Sequence, residues 1–415
     1  MTQTLQPRSH TSDAVVIGGG PVGSYTALCL AKLGVNVTVF EEHPKIGVPS
    51  HCAGHLSIRS LRTMGLYPLP NGIVENTFRT ANFYSPAGTK FSISLSHPVT
   101  TVLNRARFDQ YLARQAEAAG AHLLLNSRVQ SLMISEGYVK GLDIQAIGKK
   151  EEKIFSRITL DAEGISSRLL KQAGLTALKT PGLVYAVEAE VENLQDVEQD
   201  AVEVYLGKSY APGFYGWLIP RLDGTAKLGL ATNRGNPREF LRELMSKHPV
   251  ASKQLRKAKI TQIGYHAISL GGPIDRTYAN GFLAVVDCAS QVKPTTGGGV
   301  IFGLTCAKIA AETANKAIKQ GDFSSDALQI YQKRCSDLLN FDFMVMLRLR
   351  RFLNSLSDTK VDEMLRVCSK LGVGKALRNE DEIDFQGKML AKSLAKPSII
   401  AAFAYFALLY LSANP

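Results

Sequence analysis

One tryptophan serves all 415 residues, and the six cysteines (29, 52, 288, 306, 335 and 368) form neither a CxxC pair nor a Cys/His spacing. That scatter argues against a zinc centre and against a dense disulfide framework, so no metal is expected. Cys306 and Cys335 flank an expected helix; two buried thiols suit a reducing compartment, with a bridge as the alternative. No basic-aromatic repeat or nucleic-acid-binding signature is present, which ranks nucleic acid last among partners. There is no internal repeat, no low-complexity linker and no apolar run of the ~20 residues a membrane span needs. The start of the chain is polar, without an apolar signal core, and a cytoplasmic protein is expected. Acidic residues are also scarce: 36 Asp and Glu against 48 Lys and Arg leave a net charge of +12. Such an excess calls for an anionic partner, either a phospholipid surface or a phosphorylated substrate.

What is present is an ordinary globular composition, 45% hydrophobic and 20% charged, in a chain long enough for two or three domains. It is organised around Asp13 to Glu42. The pattern predicts a strand over Ala14 to Ile17, a glycine turn, a helix over Val22 to Leu33 stopped by Gly34, and a strand over Val35 to Phe40 ending at Glu41. Gly18, Gly20 and Gly23 occupy the three positions of a G-x-G-x-x-G turn. The first permits the bend, the second lets a pyrophosphate approach the backbone, and the third lets the helix pack on the strands. Phosphate then sits on the helix N-terminus beside Val22. Glu41 stands where a carboxylate holds an unphosphorylated ribose, favouring FAD or NAD over NADP.

Further along, a Gly- and His-rich loop (residues 42–57) leads into a short helix over Arg59 to Met64, then hairpin strands about Ser85 to Gly88. A helix closing at Gly120, a strand over His122 to Asn126 and a β-rich run to Leu160 follow. Asp161 to Gly174 reads as a turn and helix start, 183 to 230 as strands, and 237 to 256 as one amphipathic basic helix. A strand over Gly281 to Val286 meets a second glycine turn (Gly297 to Gly299) and a helix through Ala311. The remainder is helical. Residues 341 to 356 are apolar with Arg348, Arg350 and Arg351, and 396 to 411 are nearly uncharged, favouring a buried helix over an interfacial one.

Three separated motifs, Gly18 to Gly23, Asp161-x-x-Gly164-x-Ser166-x-Arg168 and Asp287 with Gly297 to Gly299, resemble in kind and order those of the p-hydroxybenzoate hydroxylase type of flavoprotein. The resemblance implies an α/β (α+β) fold. Its parts would be a discontinuous Rossmann-like FAD domain (1–69, 100–182, 271–320), an antiparallel β-sheet substrate domain (70–99, 183–270) and a helical C-terminal region (321–415). It implies FAD contacts at Cys52, Ala53, Arg105, Val129, Asp161, Asp287, Gly298, Gly299 and Val300. Val286 departs from the family's usual Gly before that Asp.

The loop His51-Cys52-Ala53-Gly54 is similar to the cysteine loop of geranylgeranyl reductases, including archaeal digeranylgeranylglycerophospholipid reductases. Residues 215–220 (YGWLIP) are similar to their lipid-cavity Y-x-W-x-F-P motif, with Ile219 in place of Phe. This second resemblance covers nearly the whole chain. It implies saturation of isoprenoid double bonds, with Tyr215, Trp217 and Pro220 as substrate contacts and a peripheral membrane location. Hydrogenating an unactivated alkene needs a hydride and a proton, hence an acid near the flavin. A thiol of reference pKa ~8.5 keeps its proton at neutral pH. Cys52 is the expected acid, a packed small residue its bland alternative, and His51 and His55 lesser candidates. With no second dinucleotide turn, the electron donor is left open between a ferredoxin-like protein and NAD(P)H. A monooxygenase or halogenase of the same fold competes, since YGWLIP differs from the halogenase W-x-W-x-I-P at one position. So does a non-enzymatic prenyl-chain carrier such as a Rab GDP dissociation inhibitor.

Overall fold

The computed structural model describes residues 11–413 except 51, 147–150, 177 and 179–181. Its central strand, Thr11–Ile17, pairs in parallel with Val37–Phe40 on one side and Glu152–Asp161 on the other. His122–Leu124 and Phe282–Ala284 extend the sheet, again in parallel. Ala14, Val15 and Val16 are wholly buried, as an unbroken apolar run should be when both sheet faces are covered. Helices Pro21–Lys32, Arg105–Ala118 and Val300–Gln320 supply one cover. A hairpin of Ser127–Ser135 and Tyr138–Ala146 continues antiparallel from Glu152–Asp161 toward the other.

A second sheet of seven strands runs in the order Lys259–Ser269, Leu183–Glu192, Ala226–Thr232, Gly216–Pro220, Ala201–Tyr205, Thr80–Tyr84, Lys90–Ser94. One face buries Leu218, Leu228 and Leu230 against Leu241 and Leu244 of helix Pro237–Lys247. The opposite face carries Val184, Ala186, Trp217 and Ile219, packed with Phe214, Phe78 and Ala53. That alternation follows from the two-residue period of a strand. A small sheet of His55–Ser57, Thr100–Leu103 and Val74–Phe78 lies beside it.

The structure differs from expectation in three places. The helix anticipated over 237 to 256 breaks into Pro237–Lys247 and Ala251–Gln254, because Pro249 lacks a donor; the His248 ring accepts from the N–H groups of Val250 and Ala251 instead. No α-helix follows Asp161: a 3-10 turn, Gly164–Ser166, is stopped by Ser167 in the left-handed region at φ 44°. Helix Pro397–Ala413 buries only one side, through Ile399, Ala402 and Leu409, while Leu408 and Leu411 are each 66% exposed. Its neighbours cover half its circumference although it is apolar all round.

Candidate active site

A cleft of about 400 Å³ opens at the carboxyl ends of the parallel strands, the usual place for a ligand in such a sheet. It gathers Gly18, Gly20, Val22, Gly23, Glu41, Cys52, Arg105, Val129, Asp287, Gly299 and Val300. Ala53, Asp161 and Gly298 flank its lining without joining it. Tyr215 and Trp217 stand on the inward face of the seven-stranded sheet, and alternation puts Pro220 on the opposite face with Leu218.

The turn is as tight as its glycines suggest. A Cβ on Gly23 would lie 1.9 Å from the Gly18 carbonyl oxygen, and one on Gly18, at φ +94°, 2.5 Å from that of Ala162. At Gly20 nothing lies within 4 Å, so that face is open to a ligand. The helix it begins has no side-chain cap and no acid in its first turn, leaving N–H groups for an anion. Glu41 accepts from Gly19 N through Oε2 (2.7 Å) and from His43 N through Oε1 (2.8 Å), which fixes the carboxylate against the turn. Asp161 Oδ1 accepts from Glu163 N, while Oδ2 is buried and unpartnered. Burial, reinforced by Glu163, holds this carboxyl well above the usual range.

Arg105 is buried rather than solvated, in a two-pronged pair with Asp109 at 3.1 Å per contact. Burial works against its charge, but Asp109 and Cys52 outweigh that and raise its pKa. Gly54, at φ +68°, makes the arrangement possible: a Cβ there would lie 2.6 Å from the Leu103 carbonyl oxygen and 2.9 Å from Arg105 Cγ. Cys52 therefore faces the cleft beside a fixed guanidinium.

At the other end, burial pushes Asp287 up to about 6 against the pull of Arg105. Val286 sits at φ +71°, a strained conformation for a β-branched residue that explains why glycine suits this position. Its N–H donates to Gln291 Oε1 at 2.8 Å, and its side chain occupies the space left by Gly303, where a Cβ would come 2.4 Å from Val286 Cγ2.

A match to the FAD binding domain family spans residues 11–308. The chain is 31% identical to the digeranylgeranylglycerophospholipid reductase of Methanocaldococcus jannaschii over 94% of its own length and 97% of that protein's. It is 34% identical to digeranylgeranylglycerophospholipid reductase 2 of Methanothermobacter thermautotrophicus over 85% and 91%. The chain belongs to the digeranylgeranylglycerophospholipid reductase family. Its structure is similar, with a TM-score of 0.85 at 25% identity over 96% of this chain and 99% of the other, to a geranylgeranyl bacteriochlorophyll reductase-like protein from Thermoplasma acidophilum. A myxobacterial chondrochloren halogenase matches at a TM-score of 0.66 and 19% identity over 95% and 97%, a likeness of fold alone. The expected α/β fold, FAD as cofactor and an oxidoreductase activity accordingly stand, and the non-enzymatic carrier reading falls away. The residues fit FAD: an open glycine cradle at one end and a second uncapped helix start at Gly299 at the other.

Two features of this reductase-family site escaped the sequence, and one candidate is corrected. Lys293 Nζ pairs with Asp384 Oδ1 at 2.5 Å, both buried, while Ser60 Oγ donates to Oδ2. Arg350, read as part of a basic strip, turns inward to donate to the carbonyls of Pro294 (2.9 Å), Thr295 (2.6 Å) and Gly213 (3.2 Å) and lies over the Phe214 ring; desolvation lowers it to about 10. His55 is driven to about 4 by burial, with Lys293 adding to the effect, so it is neutral at pH 7 and is no acid. His51 lies outside the described residues.

Proposed function

We propose that this chain saturates C=C bonds of geranylgeranyl chains in an isoprenoid ether lipid or its precursor, at a membrane surface. The observation that carries the reading is the placing of Cys52 in the cofactor cleft, with its neighbour Ala53 packed into the apolar cluster of Phe214, Trp217 and Ile219. A thiol there borders both the cofactor cleft and an apolar cluster suited to a hydrocarbon. Glu41 and the turn would hold the adenosine end of FAD, and Arg105, Asp287, Gly298, Gly299 and Val300 its flavin end. When bound and reduced, FAD supplies hydride. Cys52 supplies the proton, and Tyr215, held by its OH on the Thr296 carbonyl at 2.9 Å, meets the Trp217 ring edge-on within the apolar cluster.

The membrane part of the reading rests on helix Pro397–Ala413. Ile400, Ala401, Ala404, Leu408 and Leu411 form one exposed apolar face, and Lys392, 77% exposed and 3.6 Å from Glu380 Oε2, precedes it in the chain. Such a face suits the interfacial region, with lysine adding ~1 kcal/mol at an anionic leaflet. Among the described residues no single helix is long and apolar enough to cross a membrane. A groove of about 460 Å³ bordered by Arg348 and Arg351, floored by Phe343 and Leu347, suits a phosphorylated headgroup. A cytoplasmic, peripheral protein reduced by a ferredoxin-like donor or NAD(P)H is consistent with these features.

Anaerobic incubation of the dithionite-reduced FAD protein with a geranylgeranyl lipid should give mass gains in steps of two hydrogens. Lipid of unchanged mass, or cofactor oxidation only when oxygen and an aromatic substrate are present, refutes the reading.

A further inference from the structure

On the inward face of the seven-stranded sheet, Glu188 lies opposite Gly264 on one neighbouring strand and Gly229 on the other, and Gly229 lies opposite Trp217. The indole lies across Gly229, where a Cβ would come 2.4 Å from Trp217 Cζ2. Two glycines thus leave a notch in the sheet with a carboxyl in it. Glu188 Oε2 and Trp217 Nε1 are both buried and neither completes a hydrogen bond, although the indole is near enough to favour the charged carboxylate.

A carboxyl kept for stability would have a partner there, since an unmet buried polar atom is costly. The nearby ammonium of Lys227 is engaged elsewhere, donating to the carbonyls of Ala53 (3.1 Å) and Leu103 (3.0 Å) and pairing with Glu75 at 3.5 Å. Burial is the main influence on Glu188 and lifts it to about 7; Lys227, the Trp217 N–H and Arg105 pull it down, and Glu190 pushes it up. His266, diagonal to Glu188 on the next strand, borders the cofactor cleft. Lys227 fastens the Cys52 loop to this corner of the sheet through Ala53, and Arg105 acts electrostatically on both Cys52 and Glu188.

We infer that Glu188 is the proton reservoir of the site, reloading Cys52 with the proton that each saturation consumes. This rests on the reductase reading above. Each saturation adds a hydride, carrying the electron pair furnished by the external donor through FAD, and one proton. The alkene π pair forms a C–H bond to the Cys52 proton, the S–H bond breaks, and a thiolate remains. The Glu188 O–H bond then breaks as S–H re-forms, and a proton taken from the bulk medium and carried in by water beside His266 restores Glu188. An internal source matters because a hydrocarbon bound against the apolar cluster expels water from the cleft.

Trp217 is the only tryptophan, so its indole N–H gives a single resonance in the FAD-loaded protein. That signal should titrate with a midpoint near the value given for Glu188, lose the transition in Glu188→Gln, and keep a displaced one in Glu188→Asp. With reduced enzyme and a geranylgeranyl lipid, Glu188→Gln should reduce the first bond per enzyme at the wild-type rate and later bonds ~10-fold or more slowly. Glu188→Asp carries the test if Glu188→Gln fails to retain FAD. An indole signal that is flat with pH, or a transition that persists in Glu188→Gln, overturns the inference, as do successive bonds reduced by that variant at the wild-type rate. A wild-type protein whose indole titrates as expected but which saturates nothing would instead overturn the reductase reading itself, and the reservoir role with it.

Discussion

The ion pair of Lys293 and Asp384 joins the helical C-terminal region to the second glycine turn, and its worth can be measured. The Asp384 side chain is 1% exposed and that of Lys293 10%, so both charges lie outside bulk water. In Asp384→Ala the ammonium loses its carboxylate and the Ser60 hydroxyl loses its acceptor. Removing one partner of a buried pair costs ~3–5 kcal/mol, because the remaining charge is uncompensated. Lys293 is slightly exposed and water can reach part of it, so the low end, ~3 kcal/mol, is expected. Lys293→Met should cost about the same, since it strands the more deeply buried carboxylate. The double variant Lys293→Met/Asp384→Leu should return to within ~1 kcal/mol of wild type, as apolar replacements of buried pairs do. Equilibrium urea unfolding followed by the emission of Trp217, 8% exposed in the fold, measures all three. Single-variant losses below ~1 kcal/mol, or a double variant that merely sums them, would refute the reasoning.

Gly23→Ala should yield colourless protein, its FAD affinity lowered ~100-fold by the ~2–3 kcal/mol of overpacking against the Gly18 carbonyl, read as the bound flavin-to-protein absorbance ratio. Cys52→Ala should retain FAD and lose most turnover, and an unchanged rate removes Cys52 as the acid. Gly303→Ala should destabilise by ~1–3 kcal/mol through contact with Val286, and Val286→Gly in the same chain should recover most of it in a urea titration. His248, driven to about 4 by burial, should carry stability that is complete above its unfolded value near 6.5 and is lost as pH falls toward 4. The stability difference between wild type and His248→Gln should accordingly shrink by up to ~3 kcal/mol over that window. Using the difference cancels Asp287 and Glu188, whose raised values act in the opposite sense.

Much of the nucleotide half was legible because its signals are local. Gly18, Gly20 and Gly23 sit within one turn, and the strand runs on either side are plain, so the strand, turn, helix and strand at residues 11–40 fall within a few positions of expectation. Arg105 and Cys52 were named through a family likeness, but nothing in the sequence says that Asp109 holds the arginine or that Gly54 gives it room. What was missed depends on distant pairing: Lys293 meets Asp384 across 91 residues, Arg350 meets Gly213 across 137, and Glu188 becomes unusual only beside the two glycines that flank it in the sheet. The exposed half of helix Pro397–Ala413 was misjudged for the same reason, since apolar composition cannot tell how much of a helix its neighbours cover.

The order of strands in the parallel sheet also governs how the protein is made. The strand at residues 11–17 waits for a partner that ends at Asp161, and that strand waits in turn for Phe282–Ala284. At ~5–20 residues per second on the ribosome, the first glycine turn spends roughly a quarter of a minute to a minute without the segment that completes its cleft. Until then the nascent chain presents one unpaired valine-rich strand edge, and its cleft lacks the Asp287 and Gly299 side.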